Sequence, residues 1–481
     1  MKNQKKRWTF KKVLERFEEI EKKLDLDRSI IQGVPWWDSC RHQLFNEILT
    51  RLELGENLIS KDLNTGKVMS IVKFFTKKIS NILRIQVNFV KFFFQKSPLW
   101  LNKNSTIIFG HPRRKFEGGV YIDPYSDPFI DLFPKLIDFS VIERTEGERG
   151  HLSPAKTKNI FYGDFLYDLA NIISKFKGVK FNEKDLLTIS LLEKSLANEF
   201  SCSIDINKKI KNIIQNWQGM YLIMYLFFKI KSPKTLFIVV QVTQEATIMA
   251  AKSLGITTIE IQHGSPARGK LVYDYSSGIK KKSFPDFFLS FGDYWSSNCK
   301  FPIKKKNIIS FGNPYLFKKI NSYSHIKKEN RLVIISQGTP ILAKLAQDIS
   351  KKFSEKIVVE YKPHPREFYE TDRSHFVELK NAGVIVSKEN KDLYEIFARS
   401  RWQVGVYSTA LYEGLYFGVA CFVLNTSGSE QMERLINLNH ARLISSSKDI
   451  DLNWKIDKKD LSEIFSKPSK KKIEQVVSLI N

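Results

Sequence analysis

Two stretches of this chain have residue types and spacing suited to a phosphate. The first, Tyr361-Lys362-Pro363-His364-Pro365-Arg366, sets two cations and an imidazole at alternate positions. Pro363 and Pro365 keep the turn extended, so Lys362, His364 and Arg366 can point to one side. Lysine and arginine neutralise a phosphate, and histidine donates a hydrogen bond to it or to a leaving oxygen. The second stretch, Gly405-Val406-Tyr407-Ser408-Thr409-Ala410-Leu411-Tyr412-Glu413-Gly414, reads as strand, polar turn and helix. Ser408 and Thr409 stand where that helix would begin, a place suited either to N-capping or to phosphate contact. Glu413, one helical turn beyond Thr409, either meets ribose hydroxyls or is a plain surface carboxylate. A third turn, Ser336-Gln337-Gly338-Thr339-Pro340, adds Gly338, which permits close backbone approach, and Thr339 at a helix start that favours an anion.

Group transfer also needs a base. His263, in Gln262-His263-Gly264, ends an apolar strand and could take a proton from an acceptor hydroxyl or donate to the transferred group. The same turn could instead be structural. Carboxylate candidates for the base are Asp38, Asp123, Asp127, Glu143 and Glu146. Asp38 follows Trp36-Trp37, a pair that either stacks on sugar rings or fills a core. Glu143, Glu146 and His151 form a polar cluster after an apolar run and are a candidate acceptor site. No metal site is expected: Asp25-Leu26-Asp27 and Asp449-Ile450-Asp451 fall outside the strand-end turns, and Lys362 with Arg366 could replace a metal on a leaving group.

These turns need a scaffold that presents strand ends. Residues 1–100 read as mostly helical, with a break at Gly33-Val34-Pro35. Strands are expected at 106–110, 236–242, 257–262, 286–292 and 307–312, with helices at 184–230 and 244–254. A polar, lysine-rich linker is expected at 318–331. A second alternation follows, with strands at 332–337, 357–362, 384–387, 402–407 and 419–424. The fold class is therefore α/β, with two doubly wound domains in tandem, at 101–317 and 331–481, behind a helical region at 1–100. Ligands of such sheets bind at the carboxyl ends of the strands, where strand order switches.

Composition limits the partners. The 481 residues are too many for one core, and the net charge is +26, from 77 basic and 51 acidic residues. That excess suits nucleic acid, an anionic membrane surface or a phosphorylated substrate, and it also fits plain compositional drift. A nucleic-acid-binding protein is the alternative from another class, but no recognition module is present and the histidine-proline turn would have no role in it. The four cysteines form no metal-spaced set and point to a reducing compartment. No apolar run spans a bilayer, and the basic N-terminus lacks an apolar segment after it, so a cytoplasmic location is expected. Residues 69–100 are rich in Phe and Ile, with Lys73, Lys77, Arg84 and Lys91 along one side of a helix. That face either packs on the domain or lies on a membrane.

The order Gln262-His263-Gly264, Lys362-Pro363-His364-Pro365, then Ser408-Thr409 with Glu413 resembles bacterial surface-carbohydrate enzymes of the GT-B fold. These include capsule and lipopolysaccharide glycosyltransferases that use CMP-activated Kdo or sialic acid, and the CDP-glycerol glycerophosphotransferases of teichoic acid synthesis. The resemblance covers residues 235–430 or so. It implies two Rossmann-like domains facing a cleft, an acceptor domain first and a nucleotide domain second. It further implies that Lys362 and His364 contact donor phosphate, that Ser408 and Thr409 support it, and that Glu413 meets the ribose. The expected activity is sugar transfer from a nucleotide donor, CMP-sugar favoured, to a lipid-linked or growing glycan. No separate cofactor is expected, and a peripheral place at the inner face of the cytoplasmic membrane is the expected location. A CDP-glycerol-type polyol phosphotransferase is the enzymatic alternative.

Overall fold

The computed structural model describes residues 8–52, 94, 96–103, 105–133, 137–145, 150–276, 278–369, 373–457, 459 and 461–480. In the first half, short apolar runs become strands: β1 (Thr106–Phe109), β2 (Lys115–Glu117), β3 (Val120–Ile122), β4 (Phe139–Glu143), β5 (Ile160–Tyr162), β6 (Thr235–Ile238), β7 (Thr257–Ile261), β8 (Phe287–Ser290) and β9 (Ile308–Ser310). Seven of them form a sheet in the order β5-β4-β1-β6-β7-β8-β9, with every pairing parallel. Helices cover such sheets on both faces, which is why β1 and β4 are buried along their whole length. β2 and β3 pair apart from the sheet as an antiparallel hairpin.

The second half repeats the plan with β10 (Arg331–Ile335), β11 (Val358–Lys362), β12 (Ile385–Val386), β13 (Trp402–Gly405), β14 (Ala420–Leu424) and β15 (Arg442–Ile444). Their order is β12-β11-β10-β13-β14-β15, again parallel throughout. Strand order reverses between β1 and β6 in the first sheet and between β10 and β13 in the second. The turns after β10 and β13 are those of Gly338-Thr339 and Ser408-Thr409, so both flank the second switch point.

The helical N-terminal region has its own core. Helices Phe10–Lys23 and Trp36–Arg51 pack with Glu183–Phe200 and the start of Ile206–Lys231. Trp36 and Trp37 are fully buried there, so the tryptophan pair fills a core and presents no face to a sugar. Most of the Phe-rich segment at 69–100 lies outside the described residues. Among the described residues no helix is long and apolar enough to cross a membrane.

The expected linker at 318–331 begins inside a helix, Pro314–Ser322. Its lysines look solvent-facing in sequence, but Lys319 is buried: it bridges Glu117 of the hairpin (2.8 Å) and Asp392 of the second domain (2.7 Å). The last helix, Lys470–Ile480, also departs from the expected boundaries. Val476 and Ile480 enter the core of the first sheet beside Ile108, Phe129 and Phe237, so the chain ends on the domain where it began.

Candidate functional site

In the second domain the basic turn is built from beneath. Glu367 is buried, accepts the backbone N–H of His364, and is itself fixed by the Tyr361 hydroxyl at 2.9 Å. His364 Nδ1 accepts the backbone N–H of Arg366 at 3.2 Å, which leaves the ring proton on Nε2. Burial, with Arg366 and Arg113 nearby, pulls the His364 pKa down to about 4, so the ring is neutral at physiological pH. Lys362 is engaged elsewhere: its ammonium donates to the carbonyls of Lys388, Glu389 and Lys391 at 2.8–3.4 Å. Burial, working against the pull of Glu360, brings the Lys362 pKa down to about 8.

The neighbouring turns have mixed roles. Ser408 caps helix Thr409–Tyr416 by accepting the Ala410 N–H at 3.3 Å. Gly338 has φ +74° and donates its N–H to Ser336 Oγ at 3.0 Å, which curls the chain tightly before Thr339. The Thr339 hydroxyl is buried without a hydrogen-bond partner among the described residues. Burial raises the Glu413 pKa to about 7, against the opposing influence of Lys115 and Tyr394. It therefore sits near the hairpin of the first domain and holds its proton more firmly than an ordinary surface carboxylate.

The first domain presents His263. Gln262 is buried and pins the turn, accepting the Phe291 N–H and donating to the Gly264 carbonyl, each at 2.7 Å. That frees His263 to lean toward His111 (ring centroids 6.1 Å) and Tyr125 (6.2 Å, edge to face). Its Nδ1 stands 4.0 Å from Glu260 Oε1 and has no hydrogen-bond partner among the described residues. Burial, then His111 and Lys270, pull its pKa down to about 3, so it too is neutral. Glu260 lies fully buried below, takes the Tyr273 hydroxyl at 2.7 Å, and is pushed well above the usual carboxylate range by burial.

Between the domains lies a cavity of about 410 Å³. Arg366, Tyr407 and Gly428 line it from the second domain, Lys270 from the first, and His42 and Asn46 from the helical region. Gly428 cannot be exchanged: its φ is +93°, and a Cβ there would lie 2.4 Å from the Tyr407 ring. Neither Tyr407 nor the helical wall stands out in the sequence. The sequence signal for Tyr407 is its place directly before the Ser408-Thr409 turn.

The remaining carboxylates are occupied. Asp38 is buried, paired with Lys281 at 2.7 Å, and receives the Ser283 hydroxyl. Among the described residues no contact brings it to His263. Asp123 and Asp127 are buried within the turn after β3, where Asp127 takes the Asp123 N–H at 2.8 Å. Glu146 lies outside the described residues. Glu143 is buried against Arg114 and bonds His151 Nδ1 at 2.7 Å, while Asp164 bonds His151 Nε2 at 2.8 Å. Among the described residues no group of three or more His, Cys, Asp or Glu is arranged to hold a metal.

His151 therefore works as a buried cation. Burial opposes its charge, but bonds to Asp164 and Glu143 outweigh burial and raise its pKa. The stability this adds is complete below the ordinary imidazole value and is lost as pH rises through the raised one. His151→Ala should cost roughly 1.5–3 kcal/mol, since Glu143 keeps Arg114 and Asp164 keeps Thr145 but each loses a charged hydrogen bond. Urea unfolding of both proteins at pH 6 would show it, and the gap should narrow in alkaline buffer.

Two facing parallel sheets, each doubly wound, and a last helix that returns to the first define the class: this is an α/β chain of the GT-B fold with a helical N-terminal region. Among solved structures, it is similar to the UDP-GlcNAc 2-epimerase of Methanocaldococcus jannaschii with UDP-GlcNAc and UDP, at 12% identity and TM-score 0.46, over 78% of this chain and 98% of that one. It is also similar to a variant of the wall teichoic acid polymerase TagF, at 10% identity and TM-score 0.43, over 85% and 97%. The Neisseria meningitidis UDP-GlcNAc 2-epimerase aligns at 11% identity and TM-score 0.42, over 71% and 87%. No protein-family model and no curated protein matches the chain.

Proposed function

We propose that the chain is a glycosyltransferase that moves a sugar from a nucleotide donor, CMP-sugar favoured, to a lipid-linked or growing surface glycan of capsule or lipopolysaccharide. One observation carries the reading. Neutral imidazoles and exposed arginines from both domains gather at the strand ends beside the two switch points, next to a cavity lined by Arg366 and Tyr407. Such a site offers guanidinium charge to a phosphate and an uncharged ring to a hydroxyl.

The roles follow from chemistry. The His364 Nε2–H and the Arg366 guanidinium would hold the donor phosphate, with Gly338, Thr339, Ser408 and Thr409 at the two helix starts beside it. Guanidinium charge on the departing phosphate would make transfer metal-independent. Glu413 would accept from the ribose, and Lys362 would act at one remove by fixing the 388–391 turn. His263 would take the acceptor proton. Burial first, then His111, Lys270 and Arg113, hold its pKa low, and the negative charge of a bound phosphate would offset the positive charge around it and raise its basicity. The net charge of +26 fits a peripheral place at the inner face of the cytoplasmic membrane, near a lipid-linked acceptor.

Thermal-shift measurements with CMP, CDP, UDP, GDP and their sugars test this, since ligand binding raises the melting temperature by mass action. CMP or CDP should stabilise the chain, and transfer should persist in EDTA. A shift from UDP or GDP alone would overturn the donor assignment. Labelled phosphorus reaching the product would replace the reading with a CDP-glycerol-type polyol phosphotransferase. Salt-sensitive DNA or RNA binding with no nucleotide response would replace it with a nucleic-acid binder.

A further inference from the structure

The tripeptide His-Pro-Arg occurs twice in the chain, as His111-Pro112-Arg113 and His364-Pro365-Arg366. One copy follows β1 and the other follows β11, so each domain carries one at a strand carboxyl end. Their construction is the same atom for atom. In each, the histidine Nδ1 accepts the backbone N–H of the arginine, at 3.0 Å after β1 and 3.2 Å after β11. In each, a buried carboxylate beneath the turn accepts the backbone N–H of the histidine: Asp123 at 2.9 Å for His111, and Glu367 for His364. Those carboxylates are themselves locked, Asp123 by the Ser126 hydroxyl at 2.6 Å and Glu367 by Tyr361 at 2.9 Å. Both histidines are half-buried and both arginines are exposed.

This construction directs the N–H of a neutral ring to Nε2 in each turn, and both guanidiniums stand near enough to His364 to act on its charge. Each turn thus carries one imidazole and one guanidinium. We propose that the two turns form a two-sided clamp on one phosphate group, with Arg113 and Arg366 supplying a guanidinium from each domain. Paired forks suit a phosphate, whose oxygens accept bidentate bonds. The Arg113 charge acts on both His263 and His364, which places it at the face between the domains. The proposal rests on the transferase reading for the nature of the ligand, and it adds that the first domain contributes a guanidinium to the donor phosphate.

Calorimetric titration of the full chain with CDP, cytidine and inorganic pyrophosphate tests it, using Arg113→Ala, Arg366→Ala and the double variant. Each single variant should weaken CDP binding about 10- to 100-fold, as expected for loss of a charged hydrogen-bonding group. The double variant should lose less than the product of the two, because both arginines grip one group. Cytidine, which lacks the phosphate, should respond equally with all forms. Wild-type CDP affinity in Arg113→Ala would overturn the clamp and leave the transferase reading standing; so would two losses that multiply in full. If the wild type binds pyrophosphate through both arginines but no nucleotide, the clamp stands and the transferase reading falls. If it binds neither, both fall. Should Arg113→Ala melt lower without ligand, Arg113→Lys carries the test, and undiminished CDP affinity there would overturn the clamp.

Discussion

His263→Ala should lower kcat about 10²- to 10⁴-fold while CMP or CDP binds as before, because it removes a proton acceptor and spares the phosphate contacts. His364→Ala should do the reverse, raising KM for the donor more than it lowers kcat, since its Nε2–H is the proposed donor to the phosphate. The pH profile adds a second check. The acid limb of kcat/KM reports the free protein, where His263 sits at about 3, and so should lie well below the ordinary histidine range. The acid limb of kcat reports the occupied site and should lie at higher pH, because the bound phosphate offsets the charges of Lys270 and Arg113. Turnover of a labelled CMP-sugar across pH 4–9 should show the acid limb of kcat inside that window, with kcat/KM still level at its acid end. A His263→Ala protein that turns over near the wild-type rate would remove His263 from the chemistry.

The legible parts of the fold were those written in local pattern. Strands β1 and β6–β14 are apolar runs closed by glycine or a polar turn, and such runs declare themselves. β5 and β15 are short sheet-edge strands, and β2 and β3 form a separate hairpin with exposed positions, so their local signal is weak. Helix Pro314–Ser322 was hidden by its lysines, because the charge of Lys319 is answered by Glu117 and Asp392, far away in sequence. The site divides in the same way. His263 and His364 follow strands directly, so their position could be inferred from the chain alone. The use of Lys362, by contrast, depends on where the 388–391 carbonyls come to lie. Asp38 was a reasonable candidate base only until Ser283, 245 residues onward, came to meet it. Long-range pairing decides such roles, and no spacing records it.

The same long-range logic gives the largest expected loss of stability. Arg41 is 1% exposed, forks onto Glu21 at 2.7 and 2.9 Å, and donates to the carbonyls of Leu271 (2.7 Å) and Asp274 (2.8 Å). Its guanidinium also stacks over Tyr275 at 4.4 Å. One side chain thus ties the helical N-terminal region to the loop of the first domain that carries Lys270. Arg41→Ala should destabilise the chain by about 3–5 kcal/mol, because Glu21 is left buried and unpaired and two carbonyls lose their donor. Burial already raises the Glu21 pKa against the pull of Arg41, so the unpaired carboxylate would take up a proton. Removing both charges, in Glu21→Met with Arg41→Met, should recover much of that loss, since the attraction of a buried pair is largely spent on its desolvation. The comparison separates anchoring from charge. If the double variant regains stability but the nucleotide response remains weak, the contacts to Leu271 and Asp274 are what hold the cavity wall in place. If Arg41→Ala melts with the wild type, the helical region is held by its apolar core alone, and Arg41 plays no part in seating it.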